Sequence, residues 1–211
     1  MIIDNIDQIK SLLKFGKNTY YFIQVIQRRK ENPNLEKAEI QRGFWYITSL
    51  SDLDIHSIKI KYLCLSYNAR AYISLIPRSL EKFAKQCVIK FGERIYSGDY
   101  TKIFSIQQKV ALSKTTIDSG IFKKPYWILD VDSDKDEVDR IIKRLPNLVI
   151  IDKIPTVNGF HLIVECFNPA RELTPIGFVN SSKKSNDFIK SDENLSFTLI
   201  QTCNTVLYAA T

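Results

Sequence analysis

The chain has 211 residues, 45% of them hydrophobic and 25% charged, a composition and length that suit one large soluble domain or a core with an added lobe. No stretch approaches the ~20 apolar residues of a membrane span; the acidic opening is no signal peptide; and Cys64, Cys87, Cys166 and Cys203 are too scattered for a zinc or disulfide framework, so a reducing cytoplasm is expected. The formal net charge of +7 and pI near 9.1 are the electrostatic footprint of a polyanion binder, although a basic chain need not bind one.

Apolar residues Ile2, Ile6, Ile9, Leu12 and Leu13 predict a helix over 2–15 that stops near Gly16. The β-branched and aromatic run 20–27 predicts a strand. Arg28, Arg29 and Lys30 follow it and read either as a phosphate grip or as a solvated strand end before a turn at 31–34. A second strand is predicted over 43–48, then a short helix capped by Ser51 or Asp52 and running to Ile60. Residues 61–67 predict a strand, with an irregularity at Asn68-Ala69 and a further strand over 71–76. There Arg70, Tyr72 and Ser74 share a face, which suits either phosphate and base contacts or the polar side of a half-buried strand. Arg78-Ser79 opens an amphipathic helix over 80–95, broken at Ser97-Gly98.

Residues 100–112 predict a helix, and 113–124, with Lys123 and Lys124, a surface lid or linker. A strand over 126–131 leads to a helix over 136–145 capped by Ser133 or Asp134. Asn158-Gly159 predicts a type I′ hairpin turn with 160–164 as the outgoing strand. Residues 168–186, with Lys183 and Lys184, predict a long exposed loop; a short helix is expected near 187–190, and 195–207 predicts a terminal strand or a broken strand pair. Without a dinucleotide-binding glycine fingerprint, this succession predicts an α+β fold: a mostly antiparallel mixed sheet with helices packed on it and a split β-α-β, RRM-like core. Residues 1–60 form a helix-and-strand segment of that domain or a separate lobe, and 61–211 carry the core.

The chemistry gathers between Pro125 and Asn168. On a strand, Asp130 and Asp132 project from one face. Two adjacent carboxylates repel unless a cation lies between them, and a hard divalent ion such as Mg²⁺ or Mn²⁺ is the usual answer. On the outgoing hairpin strand His161, Ile163 and Glu165 share a face, so Asp130, Asp132 and His161 can meet on one surface if both strands lie in one sheet. The plainer reading makes the aspartates loop residues beside a helix cap and the histidine polar surface.

Asp130-Val131-Asp132 at a strand end, followed by Asn158-Gly159-Phe160-His161-Leu162, resembles the first two motifs of the archaeo-eukaryotic primase superfamily over residues 125–168. The same pairing is similar to that of an uncharacterised group of small bacterial and phage proteins. The primase resemblance implies a palm-like core, with Asp130 and Asp132 holding Mg²⁺ or Mn²⁺ and His161 binding nucleotide phosphate. It also implies nucleic acid and a nucleoside triphosphate as partners. Arg70, Tyr72, Arg78, Asn158, Lys183 and Lys184 are the candidates for contacting them. The family's third carboxylate has no counterpart on the last strand, 196–207, which leaves Glu165 or Asp187 to be considered. The expected function is a primase-polymerase-like nucleotidyltransferase. The alternatives are a catalytically silent nucleic-acid-binding module of phage or mobile-element origin, or a metal-dependent nuclease.

Overall fold

The computed structural model describes residues 2–117, 126–145, 147–174, 177–180, 187–190, 195–200 and 204–210. In chain order the elements are β1 (Ile2–Asp4), α1 (Ile6–Leu12), β2 (Thr19–Arg28), β3 (Glu39–Ile47), α2 (Leu50–Tyr67), β4 (Arg70–Ser74), β5 (Arg78–Ser79), α3 (Leu80–Ser97) and α4 (Ile106–Leu112). Then come β6 (Tyr126–Val131), α5 (Lys135–Arg144), β7 (Ile150–Pro155), β8 (Phe160–Glu165), α6 (Pro169–Glu172), β9 (Phe178–Asn180), β10 (Asp187–Lys190), β11 (Leu195–Ile200) and β12 (Asn204–Ala210).

The fold is α+β, and its strands divide between two antiparallel sheets. The first runs β1-β12-β4-β2-β3, with β5 also paired to β2; the second runs β7-β8-β6-β11-β10-β9. In the second, β8 inserts between β6 and β7, which α5 connects. That is the split β-α-β arrangement, with β11 added on the other side of β6. The last run of the chain is indeed broken: β11 ends the second sheet's share, and β12 crosses to the first sheet to lie between β1 and β4. The first sheet, open with β1 and β3 at its edges, thus pairs the first described strand with the last. Residue 60 lies inside α2 rather than at an edge.

Alternation decides what each face meets. Leu129, Val131, Leu162, Val164, Phe197 and Leu199 bury the outer face of the second sheet with Val138 and Ile141 of α5. The inner face sends Ile128, Ile154 and Ile163 into the main core with Ile23, Val25, Ala71, Ile73 and Leu207 of the first sheet and Leu53, Ile60 and Cys64 of α2. Polar ties fix the junction. The Asn5 side-chain amide donates to the carbonyls of Pro155 and Val206, both at 2.9 Å, and Gln8 donates to Asp152 at 2.7 Å.

Several local expectations are corrected. The strand expected over 61–67 is the second half of α2, which Ser49 caps through the Asp52 N–H and Asn68 ends in the left-handed conformation (φ 44°). Leu53, Ile60 and Cys64, spaced at 7 and 4, are its buried stripe, and that helical period overrides the β-branched content nearby. The 2–15 helix shrinks to α1, because β1 is captured by β12, a partner two hundred residues away. The short helix near 187–190 is strand β10, drawn into register by β11, and α6 and β9 interrupt the loop expected over 168–186. The hairpin β7–β8 is present, but its turn is not type I′, which needs φ > 0 at both central residues; neither Asn158 nor Gly159 has a positive φ. Cys64, Cys87 and Cys166 are free. Among the described residues no helix is long and apolar enough to cross a membrane.

Candidate functional site

Between the two sheets the apolar packing gives way to a cleft of about 440 Å³. One wall comes from the first sheet, with Gln24, Ile26 and Arg28 of β2, the acid Glu39 of β3, Arg70 and Tyr72 of β4, and Lys30 just beyond β2, so cations outnumber the acid among its lining residues. The other comes from the second, with Asp130, Asp132, Thr156, Asn158 and His161. The register builds this second wall. His161 of β8 lies directly opposite Asp130 of β6, Asp130 opposite Thr198 of β11, and Thr198 opposite Asp187 of β10. Cross-strand partners share a face, so His161, Asp130, Thr198 and Asp187 form one polar row across four strands. Thr198 donates its hydroxyl hydrogen to Asp187 at 2.8 Å.

His161 is nearly buried and held at both nitrogens. Nε2 lies 3.3 Å from the Asp130 carboxylate, and Nδ1 lies 3.0 Å from the hydroxyl of Thr205, a fully buried residue of β12 in the other sheet. Which of Nδ1 and the Thr205 hydroxyl donates depends on the ring tautomer, and a proton on Nε2 would face the Asp130 carboxylate, which only accepts. The ring itself lines the cleft beside Asp130.

Asp132 stands just past the end of β6, exposed, on the same cavity as Asp130. Its backbone is braced by Gly159. A Cβ at 159 would lie 2.0 Å from the Val131 carbonyl oxygen and 2.6 Å from the Ser133 nitrogen. The glycine is therefore demanded by close approach of two backbones, not by a left-handed φ. Thr156 closes the turn: its N–H donates to the Gly159 carbonyl at 2.8 Å, and its hydroxyl accepts from the Gly159 N–H at 3.1 Å. The Asn-Gly element and the Asp-x-Asp element are thus one physical unit.

On the opposite wall Arg70 is buried and pairs with Glu31 at 2.6 Å, and the same carboxylate takes Arg28. Burial alone would push the Glu31 carboxyl up, but the Arg28 hydrogen bond and the charges of Arg70 and Arg28 outweigh it and hold it below its ordinary value. The Arg70 Nε has no hydrogen-bond partner among the described residues. Lys30 is exposed at the cleft mouth, in no ion pair among the described residues.

Of the residues singled out in the sequence, the cleft unites Asp130, Asp132, His161, Asn158, Arg70 and Tyr72. Arg78 is elsewhere: it is buried where β5 meets α3, donating to the Ser113 carbonyl at 2.6 Å and to the Thr116 hydroxyl at 2.8 Å, and burial lowers its pKa. Glu165 lies opposite Tyr126, four residues along β6 from Asp130 and so ~13 Å away at strand rise, which separates it from the aspartate pair. Lys183 and Lys184, like Lys123 and Lys124, lie outside the described residues. Of the basic triplet, Arg28 and Lys30 reach the cleft, while Arg29 turns away to the Leu35 carbonyl at 2.9 Å. Thr205 gave no sequence signal, since only the crossing of β12 brings it to His161.

The donor set suits a hard cation in part. Asp130 and Asp132 offer two carboxylates, and Thr156 and Asn158 offer neutral oxygens around the same cavity; a small hard ion keeps several waters or phosphate oxygens of its own. No group of three His, Cys, Asp or Glu side chains placed to hold a metal occurs among the described residues. Asp187 shares a neighbouring cavity with both aspartates. Site and fold together define an α+β protein with an acidic–histidine wall facing a cationic one across an intersheet cleft. Comparison with family models, curated proteins and solved structures returns no match.

Proposed function

We propose that the intersheet cleft binds the triphosphate of a nucleotide and serves nucleotidyl transfer onto nucleic acid. The observation that carries this reading is the opposition of walls: Asp130, Asp132 and the Nε2 side of His161 face Arg28, Lys30 and Arg70 across one cavity. A polyphosphate with its cation needs both signs of charge at once. Asp130 and Asp132 would hold Mg²⁺ or Mn²⁺, which neutralises phosphate charge and acidifies an attacking 3′-hydroxyl. His161, with Nδ1 beside Thr205, would turn its Nε2 edge from Asp130 to a phosphate oxygen once the cation takes up that carboxylate, and would offset negative charge that develops there. Arg70 is held in place by Glu31 on the cleft wall, and Lys30 lines the same space from beyond β2. Tyr72, half-buried beside Arg70, offers a ring to a base or ribose.

A second reading, a nucleic-acid-binding module without catalysis, draws on the two-carboxylate donor set. One experiment separates them. Manganese binding followed by electron paramagnetic resonance, with and without a nucleoside triphosphate, should show a site in the wild type that the nucleotide tightens. Asp130→Ala/Asp132→Ala should abolish it while leaving the thermal midpoint little changed, because relief of repulsion between two neighbouring carboxylates offsets the lost Asp130–His161 contact. A wild type that binds neither manganese nor nucleotide ends the enzyme reading.

A further inference from the structure

Helices α3 and α4 enclose a second cavity of about 510 Å³, away from the aspartates. Its charged lining is Lys90, Arg94, Lys102 and Lys109 against the single acid Glu93. Lys90 pairs with Glu93 at 2.8 Å and Arg94 with Asp99, whereas Lys102 and Lys109 are exposed and enter no ion pair among the described residues. A second, independent feature lies in the neighbouring chain, outside the cavity's own lining. Tyr96, in the last turn of α3, and Phe104 are 96% and 97% exposed, and Tyr100, like Phe104 in the α3–α4 connection, is 59% exposed. Rings this bare contribute nothing to the core. Cations that track a backbone, interleaved with rings open to stacking, are the physical signature of single-stranded nucleic acid recognition.

The groove also leads somewhere. Ser113 lines it, and the flanking Leu112 and Lys114 line a smaller cavity beside Arg78. That smaller cavity shares Gln24 and Asn204 with the intersheet cleft.

We propose that the α3–α4 groove binds single-stranded nucleic acid, with Lys102 and Lys109 on phosphates and Tyr96 and Phe104 under bases, and that the strand passes Lys114 to reach the cleft. Binding in the groove stands on these residues alone; delivery to the cleft rests on the function proposed above.

The test is fluorescence anisotropy of a labelled oligothymidylate of about 20 nucleotides over a salt series. Lys102→Glu/Lys109→Glu should weaken binding at least tenfold and flatten the log–log salt slope by about 1.4, at ~0.7 per phosphate contact on a single strand. Tyr96→Ala/Phe104→Ala should weaken it at least about thirtyfold at an unchanged slope, since stacking releases no counterions. All four positions are exposed, so circular dichroism melts should match the wild type. No binding by the wild type, or no loss in the lysine variant, overturns the proposal. Loss in the lysine variant alone, with inorganic polyphosphate competing as well as the oligonucleotide, reduces the groove to a general polyanion patch and also overturns it. Manganese binding measured on the same wild-type preparation keeps the two sites distinct. Oligonucleotide binding without manganese sinks the reading of the cleft and spares the groove; the reverse sinks only the groove.

Discussion

Two adjacent rows on the inner face of the second sheet have opposite fates. His161, Asp130 and Thr198 lie side by side across β8, β6 and β11, and so do Ile163, Ile128 and Ile200 one step further along the same strands. The rows are ~7 Å apart at strand rise and share strands, face and register. The isoleucine row is covered: Ile128 and Ile163 are fully buried in the core shared with the first sheet, and Ile200 packs against it. The polar row begins where that cover ends and the cleft opens. The site therefore lies at the limit of the intersheet packing, with its floor set by the same contacts that hold the sheets together.

If the rows divide labour in this way, the largest stability effects belong to the apolar one. Ile128→Ala or Ile163→Ala should cost about 2–5 kcal/mol in urea denaturation, the transfer energy of the lost methyls plus an unrelaxed cavity. The Asp130→Ala/Asp132→Ala variant, one row away, should not approach that loss. Comparable losses in both rows would mean that the polar row is also structural.

Gly159→Ala comes next. Its Cβ would overlap the Val131 carbonyl and the Ser133 backbone, so the hairpin turn must move off the end of β6. Overpacking of this kind costs about 1–3 kcal/mol. Because the displaced backbone carries Asp132, manganese affinity should fall with the carboxylates untouched. A variant that loses stability but keeps wild-type manganese affinity would uncouple the turn from the aspartate pair.

Much of this arrangement was legible in local pattern. The alternation in 126–131 and 160–164 identifies β6 and β8 and puts Asp130 and His161 on definite faces. Ser79, Asp134 and Gly98 mark helix ends where expected, the first two by accepting a backbone N–H and the last at φ 69°. What was hidden is long-range. Residues 61–67 carry enough Leu, Tyr and Cys to read as a strand, and only the spacing of Leu53, Ile60 and Cys64 against the first sheet makes them helix. Nothing near Thr205 announces that β12 will leave the second sheet and place a hydroxyl on His161. Nor does Arg78 look different from Arg70: each begins a short strand, but one is enclosed by Ser113 and Thr116, whereas the other lines the cleft. The glycine was noticed for the wrong physical reason, a turn φ, when the approach of another backbone requires it.

The smallest effect is one of pH, and it is read at Glu31, the carboxylate that holds the arginines of the facing wall. The unfolded Glu31 carboxyl titrates near its ordinary 4.5, whereas in the folded protein Arg28 and Arg70 hold it lower despite its burial. Between those values the unfolded chain binds more protons, so stability falls as pH falls. The contribution is fully present above the unfolded value and disappears as pH drops through the folded one. Glu31→Gln cannot titrate, so its urea midpoint should decline less steeply than the wild type's below about pH 4.5. Ile163→Ala, which removes no charge, should lower the whole curve and keep the wild-type slope. An acid limb in Glu31→Gln as steep as the wild type's would place the responsible carboxylate elsewhere and remove the arginine wall from the account of acid sensitivity.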